Sequence, residues 1–406
     1  MEVQHDTLRR GLKNVRDNFL KFGFLNIDWC NATQSKDFSD ADVNYRVMRE
    51  YVDKWPRVLC FHFTDLFNDG IKMLCDLQND YGKFEKLQLH EKKAVQRLYD
   101  FFTDLGSHEE NLKKVLGKSP VTETDISVAL AEHLLGKLSS DCTYVIDHKL
   151  AKGKGTCKCG CEKLPHFGNT GIGHEAVWHG HIDVVFSSHL DQPPSDIAIK
   201  TIGKCEPEVP AKEEDEEETC CSPPEKKRKR EGNLEETKES TGGKSIADVK
   251  HSPLDGARKQ TIAQTIVFSL LQKQNHPDLK NLLVPNILIS PEEMQIIMYD
   301  AKNDVLLCSN VIKLFICNEF CLGAVIILWM VLHYGMFLNG LLIDKLPMLD
   351  EYKSHFKELT QAKWNIYSNL LKGCVSNFPV IEYEGLDFNV DFFFCAKNVL
   401  DNEEQV

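Results

Sequence analysis

The chain has 406 residues, 42% hydrophobic and 27% charged, which suits a soluble globular protein of two or three domains with a real core. Its net charge of −13 argues against binding nucleic acid by bulk basicity, because phosphate neutralisation needs clustered lysine and arginine. Eight acids against one lysine between Glu206 and Glu218 carry more than half of that excess, so the rest is only mildly acidic. The polar opening MEVQHDTLRR lacks an apolar signal segment, and the fifteen cysteines are therefore expected as reduced thiols or metal ligands.

Residues 1–126 are expected to form a helical N-terminal region. Phe63, Leu66, Phe67, Ile71 and Leu74 follow helical spacing, and so do Val95, Leu98, Tyr99 and Phe102. The next periodic run, SPVTETDISVALAEHLLGKL, has Ser119 or Thr122 placed to cap it and Glu132 near its middle. From about residue 142 short β-like runs follow, CTYVIDHKL and AVWHGHIDVVF, with a glycine- and cysteine-rich loop between them.

In WHGHIDVVF (Trp178 to Phe186) a side-chain period of two puts Trp178, Ile182, Val184 and Phe186 on one face and His179, His181 and Asp183 on the other. Such a strand suits either a ligand-bearing site or an edge with its polar side in water. Residues 191–244, rich in Pro, Glu, Lys and Ser, are expected to be a disordered insertion, since they cannot bury enough apolar surface to offset the entropy of ordering. A strand SIADVKH, a buried helix in GARKQTIAQTIVFSLLQKQ, the strand LVPNILIS and a hairpin in MQIIMYDAKNDVLLCS come next. SPEEM (Ser290 to Met294) reads as a helix cap with first-turn acids. The remainder, 310–406, is expected to be a helical C-terminal region packed on the core. Its run from Cys321 to Ile343 is long enough to span a bilayer, but His333, Asn339 and the lack of a basic flank favour a buried helix.

On a strand, Asp248 and Lys250 of ADVK project from the same face, so a neighbouring strand carrying Asp183 would bring two carboxylates and an ammonium together. Two carboxylates hold a divalent ion that keeps water and a substrate phosphate, while the lysine orients the attacking water. The order of an acid on a helix, Asp on a strand, then an acid two residues before Lys on the next strand and a helix after it, resembles the PD-(D/E)XK nuclease superfamily. The resemblance covers about 127–309 and implies a mixed α/β (α+β) core. It further implies that Asp183 and Asp248 bind Mg2+ or Mn2+, that Lys250 serves the nucleophilic water, that Glu132 is the helical acid, and that Gln264 or Gln260 is the polar residue of the following helix. Glu175 rivals Glu132. The tripeptide is common here, starting at Glu91, Asp147, Glu225, Glu236, Asp248, Asp278, Asp300 and Glu351; of these only Asp248 has a strand before a helix.

Two other readings of these residues stay open: a catalytically inactive nuclease-like binding or scaffold protein, and an aminoacylase-type zinc metallopeptidase, which GHIDVV, ADVK and the Glu292–Glu293 pair resemble. The latter implies His181, Asp248 and Glu293 as zinc ligands and Glu292 as the base. Separately, Cys157, Cys159, Cys161 and His166 in CKCGCEKLPH offer the thiolates and imidazole that suit a structural Zn2+, with His174 or Cys142 as substitutes. Lys226, Lys227, Arg228, Lys229 and Arg230, beside Pro223 and Pro224, read as a nuclear localisation signal for an import receptor. The expected place is the nucleus, otherwise the cytoplasm, with DNA or RNA as substrate, no membrane, and an oligomeric state that composition leaves open.

Overall fold

Strand β1 (Lys21–Cys30) lies within the region expected to be mostly helical. Its KFGFLNIDWC buries Phe22, Phe24, Leu25 and Ile27, and such aromatic and branched residues suit a pleated, half-buried surface. The computed structural model describes residues 2–17, 20–52, 54–118, 121–139, 144–151, 156–186, 196–203, 254–278, 283–341 and 349–373. These belong to one of the two units into which the chain divides, Met1–Lys204 with Pro253–Val406. Helix α1 (Glu2–Asp17) precedes β1, and β2 (Lys36–Asp37), β3 (Ala41–Tyr45) and β4 (Cys60–His62) follow it.

The first expected stripe is divided between a single turn, Phe63–Leu66, and helix α2 (Asn68–Asn79), which buries Ile71 and Leu74; the second lies on α3 (Leu89–Thr103), and α4 (Leu105–Leu116) follows. Helix α5 starts at Glu123 with Thr122 as its cap, the Thr122 hydroxyl accepting from Asp125 N. It runs as Glu123–Leu130, widens into a π-turn at Ala131–Leu135 where Gly136 N donates to Ala131 O, and closes at Gly136–Leu138.

The strands β5 (Tyr144–Asp147), β6 (Phe167–Gly168), β7 (Gly171–Gly173), β8 (Trp178–His181), β9 (Val184–Phe186) and β10 (Ile197–Thr201) come next. Beyond them lie helix α6 (Asp255–Asn275) and strands β11 (Leu283–Ile289), β12 (Glu293–Asp300), β13 (Val305–Ser309) and β14 (Ile312–Lys313), then the buried helix α7 (Leu322–Leu332), the short α8 (Trp364–Asn369) and β15 (Lys372–Gly373). An eleven-stranded mixed sheet runs β3-β1-β13-β12-β11-β10-β9-β5-β6, with β14 on β12 and β4 on β1. The protein is therefore α/β with a large mixed sheet. β10 and β11 run parallel, joined through α6, which packs on β11; parallel neighbours need such a crossover. Every residue of β11 is buried, as expected of a strand covered on both faces.

Three expectations change. WHGHIDVVF is not one strand: β8 belongs to a separate sheet, β15-β7-β8-β2, while β9 joins the large one. The backbone changes partners between them, Ile182 O accepting from Thr170 Oγ1 and Asp183 O from Asp147 N, so His179, His181 and Asp183 do not share a face. Second, the stretch expected to be disordered contains β10, with Ile197, Ala198 and Ile199 fully buried; five apolar-rich residues were diluted by acidic, proline-rich flanks. Third, SPEEM caps no helix. Glu293 opens β12, and Ser290 Oγ accepts from Glu293 N at 3.2 Å in a serine turn.

The expected hairpin is β12–β13, turning through Asp300 and Asp304. The apolar run after Cys321 folds as α7, buried at all eleven residues, and no helix among the described residues is long and apolar enough to cross a membrane. Asp248, Lys250, the expected strand 245–251 and the basic run at 226–230 lie outside the described residues.

Candidate functional site

Asp183 sits at the bend just before β9, and the ladder that places Val184 opposite Ile199 brings it beside Lys200. Lys200 Nζ lies 3.0 Å from each Asp183 oxygen, with the two side chains 13% and 11% exposed. Thr201 donates to Asp183 Oδ2 twice, from its backbone N at 2.8 Å and its hydroxyl at 3.0 Å. On α5, Ser127 Oγ stands 2.6 Å from the Thr201 hydroxyl and Glu123 Oε1 3.6 Å from Lys200 Nζ. Burial works against the Lys200 ammonium, but the charges of Asp183 and Glu123 together outweigh it and hold its pKa above the ordinary lysine value. An acid from a helix, an aspartate before one strand and a lysine on the next thus meet at one place.

The lysine there among the described residues is Lys200, and the residue two before it is Ala198, fully buried; Lys250 lies outside the described residues. Glu132 is elsewhere: it accepts from Tyr144 Oη and pairs with Lys163 Nζ at 3.5 Å, while Glu123, at the start of the same helix, faces Lys200. Gln264 does reach the neighbourhood from α6, its Nε2 donating to His181 O at 2.8 Å. Lys200 was legible as the end of the apolar run IAIKT, but its context was counted as unstructured. Glu292 and Glu293 line a groove with Lys113, Lys313 and Phe315, whereas His181 pairs with Asp147 at 3.1 Å. Asp248, the third residue of the metallopeptidase pattern, lies outside the described residues.

A cluster of side chains that could hold a metal ion stands further along α5. His133, in the π-turn, places Nε2 at 3.0 Å from Cys159 Sγ, 3.4 Å from Cys157 Sγ and 3.7 Å from Cys161 Sγ. Nitrogen and sulfur sharing a tetrahedral zinc at about 2.0–2.1 and 2.3 Å would stand about 3.6 Å apart, so this donor set fits that ion. The fourth member is His133 where His166 was expected. His166 instead uses its backbone O to accept from Ile146 N at 2.8 Å, which fixes β5 next to the cysteine loop. Burial, helped by Lys137 and Lys163, keeps the His133 imidazole neutral, as a ligand must be. Burial pushes the Cys157 thiol up to about 12 and raises Cys159 as well, so without a cation these sulfurs hold their protons. No sequence spacing links a helical histidine to a loop 24 residues on; only the fold does.

No protein-family model matches the chain, and no curated protein or solved structure matches it either.

Proposed function

We propose that the protein is a nuclease-like α/β scaffold that does not cleave phosphodiesters, its cysteine loop fastened to α5 by a structural zinc ion. One observation carries this reading: both oxygens of Asp183 are already engaged by Lys200 and Thr201, and among the described residues the position two before Lys200 is Ala198, which offers no second carboxylate. A hard divalent ion needs several oxygen ligands, and an aspartate this well satisfied has little to offer one. The PD-(D/E)XK resemblance then describes ancestry of form, with Asp183 and Lys200 acting as a buried structural pair. In this reading the basic run at 226–230 serves nuclear import, and partners bind surfaces instead of a cleft.

A second reading, an active nuclease using Mg2+ or Mn2+, draws on Glu123, which also faces Lys200 and could supply a second acid. Purified full-length protein incubated with labelled single- and double-stranded DNA and RNA, with either metal, separates the two. The scaffold reading expects no cutting beyond that of Lys200→Ala. Cutting by the native chain that Lys200→Ala or Lys250→Ala abolishes establishes the nuclease instead and says which lysine serves it.

A further inference from the structure

Asp147, His148 and His181 bring one carboxylate and two imidazoles to a point at the end of β5, with ligand atoms all within 4.8 Å of one another. Asp147 Oδ1 lies 3.1 Å from His181 Nδ1 and 3.3 Å from His148 Nδ1. Two donors sharing one ion at about 2.0–2.1 Å in near-tetrahedral geometry would stand about 3.3 Å apart, and both separations match. The same oxygen also receives Lys149 N at 3.2 Å, which holds the carboxylate in place while three nitrogens crowd one acceptor. An ion among the three side chains would let each donate a lone pair to the metal instead of sharing Oδ1, His148 giving up the Gly168 O that also lies 3.2 Å from its Nδ1.

His181 supports a ligand site in a second way. Its side chain is only 8% exposed, and its Nε2 is buried without a hydrogen-bond partner in the structure. The polar contact of the ring is thus made through Nδ1, the nitrogen that faces Asp147, and with the proton on Nε2 that nitrogen presents a lone pair. Gln264 holds the backbone of His181 in place, its Nε2 donating to His181 O. His148, by contrast, is 45% exposed, which leaves one side of the cluster open.

We propose that Asp147, His148 and His181 form a second metal centre, separate from the cysteine cluster, that takes a first-row divalent transition ion. Two imidazoles and a carboxylate suit zinc, manganese or iron better than magnesium, which prefers oxygen alone. With three protein ligands and an open side, the ion keeps a position for water or a small exchangeable ligand, unlike the closed four-ligand cysteine site. The proposal concerns ion binding and does not depend on whether the Asp183–Lys200 site cuts or only supports the fold.

Cobalt titration of the chelator-stripped, reduced full-length chain tests it, read by visible absorption and by metal content after dialysis. Wild type and variants share every other thiol and histidine, so the comparison reads only the changed site. The expected result is that His148→Ala and His181→Ala each bind one equivalent fewer than wild type and keep the sulfur-to-cobalt charge-transfer band. Cys159→Ser is expected to lose that band and keep the other equivalent. If His148→Ala, whose exposed side chain leaves the fold intact, binds the same equivalents with unchanged affinity, the centre does not exist; that variant decides the matter even if His181→Ala fails to fold.

Discussion

Lys200 Nζ stands 3.0 Å from both oxygens of Asp183 across the β9–β10 ladder, in a place where each side chain is nearly nine-tenths covered. Removing one member of such a pair leaves the other charge buried without compensation, which costs about 3–5 kcal/mol. Lys200→Ala should therefore destabilise the fold by about 3 kcal/mol in urea denaturation, and Lys200→Met with Asp183→Leu should recover most of the loss. A single-variant loss below about 1 kcal/mol would be typical of a solvated pair and would remove the structural role assigned to these residues.

Chelation distinguishes the two histidines near the cysteine loop. If His133 is the fourth ligand, Cys161→Ser and His133→Ala each lower stability on the order of 4 kcal/mol, as loss of a structural metal does, and each removes the same large part of the chelator response. His166→Ala should leave the melting temperature and the chelator response unchanged. A chelator response that follows His166 instead would restore the ligand set expected from the sequence.

His108 gives a pH dependence. Burial, with Lys137 adding to it, pushes this imidazole down to about 4, and its ring stacks on Phe101 at 4.7 Å. Between about 4 and the ordinary histidine value near 6.5 the unfolded chain holds a proton that the folded chain lacks. Stability should thus rise with pH across that window, by at most about 1.4 kcal/mol per pH unit for one proton, be complete above it, and fall away as the medium acidifies. His108→Leu should flatten that part of the profile, measured as unfolding free energy at about pH 5 and about pH 7; an unchanged slope would assign the dependence to another group.

Gly173, the last residue of β7, has φ of +109°, and a Cβ there would lie 2.4 Å from Trp178 O. A side chain at such an angle is strained, and here it also meets backbone. Gly173→Ala should cost about 3 kcal/mol and loosen the β7–β8 pairing that positions His181. Amide exchange would report it: protection lost at His179 and Gly180 but kept in β11 and β12 is the expected pattern, and unaltered exchange at β8 would contradict it.

Long periodic segments were readable from the sequence because their signal is local. Helix α6, the β12–β13 hairpin and the Thr122 cap follow from apolar spacing and turn chemistry within a few residues. Asp183 and Gln264 were singled out from the strand and the following helix, and Gln264 is found on the backbone O of His181, two residues before Asp183. Lys200 was not found, because strand pairing is decided by tertiary context and the composition of its flanks hid a five-residue strand. The division of WHGHIDVVF between two sheets left no trace in its alternation, which continues unbroken across the bend. His133 was invisible as a ligand for a different reason: an apolar helix face commonly contains a histidine, and nothing near it announces the sulfurs it meets.

The extra residue wound into α5 at Ala131–Leu135 has a consequence for which changes this chain tolerates. Each residue of a helix advances about 100° around its axis, so deleting one residue from that wide turn would swing the N-terminal half of the helix by more than a quarter of a circle relative to its C-terminal end. The thiols would then face a hydrocarbon wall, and Glu123 would turn away from the amine it accompanies. Point substitutions at the surface of this helix should be easily absorbed, whereas a one-codon deletion would undo both ends at once.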